Sequence, residues 1–503
     1  MKEKYSVYCP ATRAGQQLVI LTFQHHNEHH KSSCHTFLHL SAIINIIINK
    51  YYFSSYTATA HTMVGRKWWC FGNQSSDDLD PVLLVTGVGG SILNSKPKSW
   101  FGFTTRVWVR ILLADLEFRK KVWSLYNPDT GYAEALDDSS DIVIPQDDYG
   151  LYAIDILDPS HWIKCLHVTD VYHFHDMIDM LVNCGYKKGT TLFGYGYDFR
   201  QSNRIDQSMD GLKEKLETAY KASGGRKVNL ISHSMGGLLV SCFISLHSDV
   251  FAKYVNKWIT IATPFQGAPG CINDSLLTGL QFVEGLESCL FVSRWSMHQL
   301  LVECPSIYEM LPNPEFKWKK QPEIVVWRND SENGQDLVKR ETYGTSGCVD
   351  LFVEALKDNE IEYNKKTIPL PFNHDIYKWA ATTRKMLNSV QLPAGIDFYN
   401  IYGTSLDTPF DVCYGSGTDP INDPSEICHT LPEYSYVDGD GTVPAESAMA
   451  DGFKAIERVG IPGAHRALLR DELVFEYIKK WLGIQERGGS QVKSSKVVDV
   501  GSS

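Results

Sequence analysis

The sequence predicts an α/β fold with a mostly parallel sheet and helices on both faces. The main observation is an apolar run at residues 228–231 that leads directly into Ser232-His233-Ser234-Met235-Gly236. Before it, apolar residues spaced three and four apart over residues 205–220 predict an amphipathic helix. After it, residues 236–244 predict a buried helix. The order helix, strand, tight turn and helix favours the α/β class.

The five residues around Ser234 have the pattern of a nucleophile elbow, in which a strand turns sharply into a helix. The central Ser of such a turn is strained, and its Oγ faces the substrate. The residues two before and two after it must be small because the two backbones nearly touch. Ser232 stands where Gly is usual, so the pattern alone is weak, and a buried αβα unit with a chance Ser is the alternative.

Two later turns offer the acid and the base that a Ser hydroxyl needs for activation. Asp438-Gly-Asp440-Gly follows one apolar stretch, and Gly463-Ala-His465 follows another, just before a predicted terminal helix. Asp438 and Asp440 compete for the acid role, and Asp440 is preferred because Asp438 lies closer to the strand. A plain acidic turn is the alternative. A calcium loop is rejected because the third oxygen ligand and the Glu at the twelfth position are missing.

A glycine-rich turn after an early strand is expected to complete this site. Acyl transfer needs two backbone N–H groups directed at the developing negative charge. Met235, directly after the nucleophile, is expected to supply one, and Val88 or Gly89 the other. The glycines at 87, 89 and 90 do not match Gly-x-Gly-x-x-Gly, and no Lys-Ser/Thr pair follows, so a dinucleotide or phosphate loop is not favoured.

The order and content of these motifs resemble those of the lecithin:cholesterol acyltransferase family, over about residues 81–482. The segments that carry the likeness are residues 81–93, residues 194–200, the Ser234 elbow, the Asp440 turn and the His465 turn. The plant branch called lecithin-cholesterol acyltransferase-like 4 is similar at residues 107–111, 292–303 and 437–451.

The resemblance implies an α/β-hydrolase core with an inserted cap or lid and membrane-binding segments. It implies phospholipase A chemistry on glycerophospholipid acyl esters through an acyl-serine, with transfer to water or to a lipid alcohol such as a sterol. Ser234 would be the nucleophile, His465 the base and Asp440 its partner, with Val88 and Met235 as oxyanion donors. No metal or cofactor is expected. A dedicated sterol or glyceride acyltransferase and an inactive lipid-binding hydrolase fold are the alternatives.

The family's Asp-x-Arg motif and its lid need separate predictions. Asp198 and Arg200 match the motif and are expected to form either a buried ion pair or a substrate contact. In animal relatives a disulfide ties the lid, but no Cys lies between Cys70 and Cys165 here, so packing alone would have to hold it.

An aromatic segment in the predicted lid is a candidate membrane anchor. It contains Trp100, Phe101 and Phe103, with Lys96, Lys98 and Arg106 nearby. Amphipathic side chains of this kind insert at the level of lipid head groups. An ordinary, partly buried loop is the alternative.

The composition is that of an ordinary globular protein, with 503 residues, 43% hydrophobic and 21% charged. The net charge of −11 argues against a nucleic-acid partner and against strong attraction to anionic membranes. Twelve Cys without a C-x-x-C motif predict reduced thiols and a cytoplasmic protein, with Cys413–Cys428 as the one candidate bridge. The family resemblance implies that this cytoplasmic protein associates peripherally with membranes.

The chain is expected to divide into five parts. Residues 1–78 form a disordered or non-native extension, with seven of the 17 His in the first 62 residues and a natural start near Met63; a transit peptide is the alternative. No stretch reaches the roughly 18–20 apolar residues of a membrane span. The remaining parts are a first core half (79–263) with a lid and membrane-binding excursion at about 95–170, a cap insertion (264–393), a second core half (394–485) and a disordered tail (486–503).

Overall fold

The computed structural model describes residues 79–99, 102–109, 114–160, 171–279, 292–330 and 337–484. These residues all belong to the second of two units, Trp69–Ser503. The predicted extension at 1–78 and tail at 486–503 lie outside the described residues, as do Trp100 and Phe101.

The strands and helices of the described residues are numbered in chain order. The strands are β1 (Val82–Val85), β2 (Leu93–Pro97), β3 (Thr105–Trp108), β4 (Ser124–Tyr126), β5 (Ala133–Ala135), β6 (Ser140–Val143), β7 (Leu192–Tyr195), β8 (Val228–His233), β9 (Val255–Ile261), β10 (Glu323–Asp330), β11 (Leu337–Gly344), β12 (Glu360–Tyr363), β13 (Lys366–Pro369), β14 (Asp397–Thr404), β15 (Leu406–Tyr414), β16 (Glu433–Gly439) and β17 (Glu457–Pro462). The α-helices are α1 (Ala114–Lys121), α2 (His175–Asn183), α3 (Asp206–Ala222), α4 (Met235–Leu246), α5 (Ser248–Tyr254), α6 (Pro269–Thr278), α7 (Arg294–Leu301), α8 (Pro305–Tyr308), α9 (Cys348–Ala355), α10 (His374–Ser389), α11 (Ala445–Met449) and α12 (Glu472–Leu482). Short 3-10 helices occupy Asp148–Gly150, Pro424–His429 and Ala467–Arg470.

A six-stranded parallel sheet forms the centre of the fold, in the order β17-β14-β9-β8-β1-β7. Alternate residues of one strand enter two apolar layers, as a pleated strand requires. Leu83 and Val85 join the layer that contains α3 and α4, whereas Val82 and Leu84 join the layer that contains α2 and α12. The predicted class, a parallel sheet with helices on both faces, is confirmed.

The helix–strand–helix unit around Ser234 also has the predicted order. The helix expected over 205–220 is α3, the strand expected at 228–231 is β8, and the buried helix that follows is α4. Because the central strands are parallel, the carboxyl ends of β1, β8 and β17 meet at one edge of the sheet. The turns that follow these three strands carry Val88, Ser234 and His465.

A second sheet, β11-β10-β15-β16, crosses the predicted boundary between the cap and the second core half. Strands β10 and β11 belong to the predicted cap, but β15 and β16 come from the predicted core half. Helix α6 of the predicted cap contacts these two strands, since Asp274 accepts hydrogen bonds from Tyr414 and Tyr434 at 2.8 Å and 2.6 Å. Residues 406–439 therefore interrupt the second core half and pack with the cap.

The predicted excursion at about 95–170 contains its own small sheet, β3-β2-β6, and the hairpin β4-β5.

The seven described Cys are free, so the candidate bridge is not formed: the thiols of Cys413 and Cys428 face the carbonyls of Gly415 and Ala355 instead. In the described part of the chain no single helix meets the length and apolarity of a membrane span, although α4 and α5, bent by 109°, meet them together.

Candidate active site

Ser234 lies at the turn between β8 and α4 in a backbone conformation that residues other than Gly seldom adopt. Its φ is 55° and its ψ is −132°. The backbone N–H of Ser234 donates to the carbonyl of Ile261 at 2.8 Å, and only 4% of the residue is exposed. Such strain persists where the surrounding structure holds it, and it is typical of a nucleophile elbow.

The close approach of the two backbones at the elbow explains, as predicted, why its flanking residues must be small. A Cβ on Gly236 would lie 2.2 Å from the carbonyl oxygen of Thr86, so no larger residue fits without a backbone shift. Ser232 replaces the usual Gly, and its hydroxyl accepts a hydrogen bond from the indole N–H of Trp258 at 2.9 Å. The hydroxyl of Ser232, the residue that made the sequence pattern weak, therefore has a hydrogen-bond partner in the buried elbow.

Ser234, His465 and Asp440 form a continuous hydrogen-bonded chain. His465 Nε2 lies 2.9 Å from Ser234 Oγ, and His465 Nδ1 lies 2.8 Å from Asp440 Oδ2. The other oxygen of Asp440 accepts the N–H groups of Thr442 and Val443 at 2.9 Å and 2.7 Å. Because an ionised carboxylate only accepts, His465 donates from Nδ1 and leaves Nε2 free to accept the serine proton.

The structure separates the two candidate acids. Asp438 is exposed and accepts a hydrogen bond from the backbone N–H of Ser405 at 2.5 Å. Asp440 is 1% exposed and is the carboxylate in contact with His465. The preferred residue is therefore the one that lies in the constellation.

The two predicted oxyanion donors come from segments close to Ser234. Met235 is the first residue of α4, so its N–H has no partner within the helix and lies at the positive end of the helix dipole. The turn that carries Val88 approaches closely, since a Cβ on Gly87 would lie 2.7 Å from Ser234 Cβ. Gly90 N–H donates to the Gly87 carbonyl at 3.2 Å, a bond that leaves the Val88 N–H unused by the turn.

Two buried histidines beside the constellation were not found by sequence reasoning. His233 Nε2 lies 3.1 Å from the carbonyl oxygen of His465, and His173 Nε2 lies 2.7 Å from the hydroxyl of Thr86. Burial, reinforced by neighbouring positive charge, lowers the pKa of both well below the usual range, so both are neutral near pH 7. His233 is part of the elbow motif, but no sequence signal points to its contact, and none points to His173.

Asp198 and Arg200 form a buried ion pair at 2.6 Å. Arg200 also donates to the carbonyl of Val122 at 2.8 Å. Burial alone would raise the pKa of Asp198, but the charge and hydrogen bonds of Arg200 outweigh it and lower the pKa. The sequence left open whether these residues form a buried ion pair or contact the substrate. These contacts favour a buried ion pair that links the core to the excursion.

Of the aromatic membrane-anchor candidates, Phe103 is the one within the described residues. It is 89% exposed. Two of the three nearby cations have acidic partners, since Lys98 lies 3.4 Å from Asp141 and Arg106 lies 2.5 Å from Asp158. Phe103 therefore protrudes among charges that are already partly paired.

Among the described residues, no group of three or more His, Cys, Asp or Glu is arranged to hold a metal ion.

A parallel sheet with an elbow Ser, a His and an Asp at its carboxyl edge defines an α/β-hydrolase. The family model for lecithin:cholesterol acyltransferase matches residues 103–451. The chain belongs to this family, as its motifs predicted.

Similar proteins extend the likeness to most of the chain. Phospholipase A(1) LCAT3 of Arabidopsis thaliana is 66% identical over 86% of this chain and 98% of its own length. Lecithin-cholesterol acyltransferase-like 4 of the same plant is 52% identical over 81% of this chain and 76% of its own length. The human lysosomal phospholipase A and acyltransferase is 25% identical over 75% of this chain and 78% of its own length. The predicted plant branch is confirmed, with higher identity to LCAT3 than to the like 4 protein.

Proposed function

We propose that this protein is a serine-dependent phospholipase A with O-acyltransferase capacity, acting on glycerophospholipid acyl esters without a metal or cofactor. The observation that carries the proposal is the chain of contacts from Asp440 through His465 to Ser234. The family supports the substrate class, since relatives over most of the chain are named for phospholipase and acyltransferase activities.

Acylation uses the contacts of the elbow. Ser234 Oγ attacks the ester carbonyl while its proton passes to His465 Nε2, and Asp440 stabilises the resulting imidazolium. The carbonyl oxygen becomes an oxyanion that accepts the N–H groups of Val88 and Met235. The tetrahedral intermediate collapses, His465 returns its proton to the departing lysophospholipid oxygen, and Ser234 keeps the acyl group.

Deacylation repeats these steps with a different nucleophile. Water or a lipid alcohol loses its proton to His465 and attacks the acyl-serine, which releases free fatty acid or a new ester and restores the Ser234 hydroxyl. A sterol acceptor is the second candidate, because relatives in the family are named as phosphatidylcholine-sterol acyltransferases. Cap shape decides between the acceptors, since it controls the access of water.

The position of the cleaved ester is proposed from the relative with 66% identity. That protein is named a phospholipase A(1), which supports hydrolysis of the sn-1 ester here. Phosphatidylcholine with different acyl chains at the two positions tests this: release of the sn-1 chain supports the proposal, and release of the sn-2 chain contradicts it.

We further propose that the protein is cytoplasmic and binds membranes peripherally. Phe103, at 89% exposure, supports the membrane contact. The free state of the described thiols supports a reducing compartment.

A fluorophosphonate probe tests the nucleophile. It should label the wild type at Ser234 and leave Ser234→Ala unlabelled, with no effect of chelator. A wild-type protein that remains unlabelled would instead favour the inactive lipid-binding alternative.

A further inference from the structure

We propose that Trp108 and Thr86 are positioning residues that orient the oxyanion donor of Val88 through the backbone of the turn at residues 87–90. This inference rests on the proposed acyl transfer and adds two side chains that lie outside the Ser234–His465–Asp440 constellation. Neither residue needs to touch the reacting atoms, because both act on peptide groups of the turn.

A chain of hydrogen bonds connects Trp108 to the Val88 N–H. The indole N–H of Trp108 donates to the carbonyl of Gly89 at 2.8 Å. That carbonyl shares a peptide unit with the N–H of Gly90, which donates to the carbonyl of Gly87 at 3.2 Å. The Gly87 carbonyl in turn shares a peptide unit with the N–H of Val88. Since each peptide unit is planar, Trp108 fixes the plane of the first unit and thereby constrains the second.

The same series of hydrogen bonds strengthens the Val88 N–H as a donor as well as orienting it. Each hydrogen bond accepted by a peptide carbonyl polarises the N–H of that peptide unit, and such chains are cooperative in a low-dielectric interior. Trp108 is 3% exposed and packs against Phe118 and Phe199 at centroid distances of 5.7 Å and 5.6 Å. The indole is therefore held rigidly, and no reorganisation is needed when charge develops on the substrate.

Thr86 holds the far end of the turn. Its hydroxyl donates to the carbonyl of Gly90 at 2.9 Å and so accepts from His173 Nε2, which lies 2.7 Å away. A Cβ on Gly90 would lie 2.0 Å from the Thr86 hydroxyl oxygen, and Gly89 has a φ of 67°. The Gly89-Gly90 pair thus permits a turn whose carbonyls reach both Trp108 and Thr86.

Two pairs of variants test the proposal. Trp108→Phe removes the indole N–H and keeps an aromatic ring, and Trp123→Phe is its control because the Trp123 indole donates to the Ser296 carbonyl at 2.9 Å in the cap. Thr86→Val removes the hydroxyl with little change of shape, and Thr86→Ser restores it. The measurements are kcat and KM on phosphatidylcholine and the Ki of an alkyl trifluoromethyl ketone, whose adduct with Ser234 carries an oxyanion.

Loss of one oxyanion donor lowers kcat about 10²- to 10³-fold, so a misoriented donor should cost about 10- to 100-fold. We expect this loss in Trp108→Phe and Thr86→Val, with KM within about twofold and Ki raised by a similar factor. Trp123→Phe and Thr86→Ser should stay within a few-fold of wild type.

Wild-type kcat and Ki in both Trp108→Phe and Thr86→Val would overturn the proposal and leave the proposed function intact. If Trp108→Phe fails to fold, the Thr86 pair decides alone. A wild-type protein without turnover or fluorophosphonate labelling would instead remove the proposed function.

Discussion

The backbone N–H of Ser405 donates a hydrogen bond to Asp438 at 2.5 Å, and this bond joins the two ends of the 406–439 segment, which contains β15 and β16. Leu406 pairs with Gly439 at the same point. Because its ends are joined, this segment returns the chain to the edge of the central sheet, where Asp440 contacts His465. Two Asp in one turn therefore have different tasks: Asp438 joins the ends of the 406–439 segment, and Asp440 orients His465.

We expect Asp440→Asn to reduce kcat by about 10⁴-fold, because an amide at this position favours the wrong tautomer of His465. Asp438→Asn is the matched control and should cost less than about tenfold, since an amide oxygen still accepts from Ser405. Steady-state kinetics on phosphatidylcholine measure both. A larger loss in Asp438→Asn than in Asp440→Asn would assign the acid role to Asp438.

Gly236→Ala should destabilise the fold, because the new Cβ would lie 2.2 Å from the Thr86 carbonyl. Overpacking against backbone costs about 1–3 kcal/mol of unfolding free energy. Gly344→Ala is the control, since a Cβ there meets nothing within 4 Å. Urea unfolding of the two variants makes the comparison. Equal midpoints would show that the elbow can relax to admit a side chain.

Two buried groups on one segment should give stability opposite dependences on pH. Burial lowers the pKa of His298 to about 4 and raises that of Glu303 to about 7. As pH falls below 6.5, unfolded His298 takes a proton that the native state refuses, so unfolding is favoured. As pH falls through 7, native Glu303 takes a proton before the unfolded state does, so folding is favoured.

Variants separate these two contributions. Between pH 7.5 and pH 5 each contribution changes by about 2 kcal/mol. His298→Gln should therefore make the unfolding free energy less sensitive to acid, and Glu303→Gln should make it more sensitive. Urea unfolding at the two pH values measures the difference. Shifts of the same sign in both variants would contradict the burial-based account.

Phe103→Ser should weaken binding to phosphatidylcholine vesicles by about tenfold or more, because inserting a Phe side chain is worth about 1.5–3 kcal/mol. Leu431→Ser is the control, since Leu431 is also exposed, at 74%, but lies in the loop before β16. Co-sedimentation measures binding, and a soluble short-chain ester checks that the active site is intact. Equal binding by both variants would remove Phe103 from the membrane contact.

Local patterns in the sequence predicted the elements that depend on neighbouring residues. The elbow at Ser234 and the turn at His465 each combine an apolar strand with small turn residues, so both are visible within about ten positions. The preference for Asp440 rested on its distance from the strand, and the contact with His465 agrees with it. The fold class followed from the same segments.

Contacts over long sequence distances could not be predicted. Strand β15 pairs with β10, which lies about eighty residues earlier, so nothing local distinguished it from a strand of the core. The contacts of Thr86 with His173 and of Trp108 with Gly89 depend on how the segment between β1 and β7 folds back onto the sheet. Side chains that support a site from outside have no motif of their own, and only the packed structure reveals them.

We propose that Ser234 is the residue that cleaves phospholipid esters. The most direct test incubates the purified wild type and Ser234→Ala with phosphatidylcholine vesicles in the presence of chelator, with and without sterol. We expect lysophospholipid from the wild type, with the acyl group released as free fatty acid or, where sterol accepts it, as steryl ester. We expect no product from the variant, at unchanged stability. Product from Ser234→Ala at the wild-type rate, or none from either protein, would contradict it.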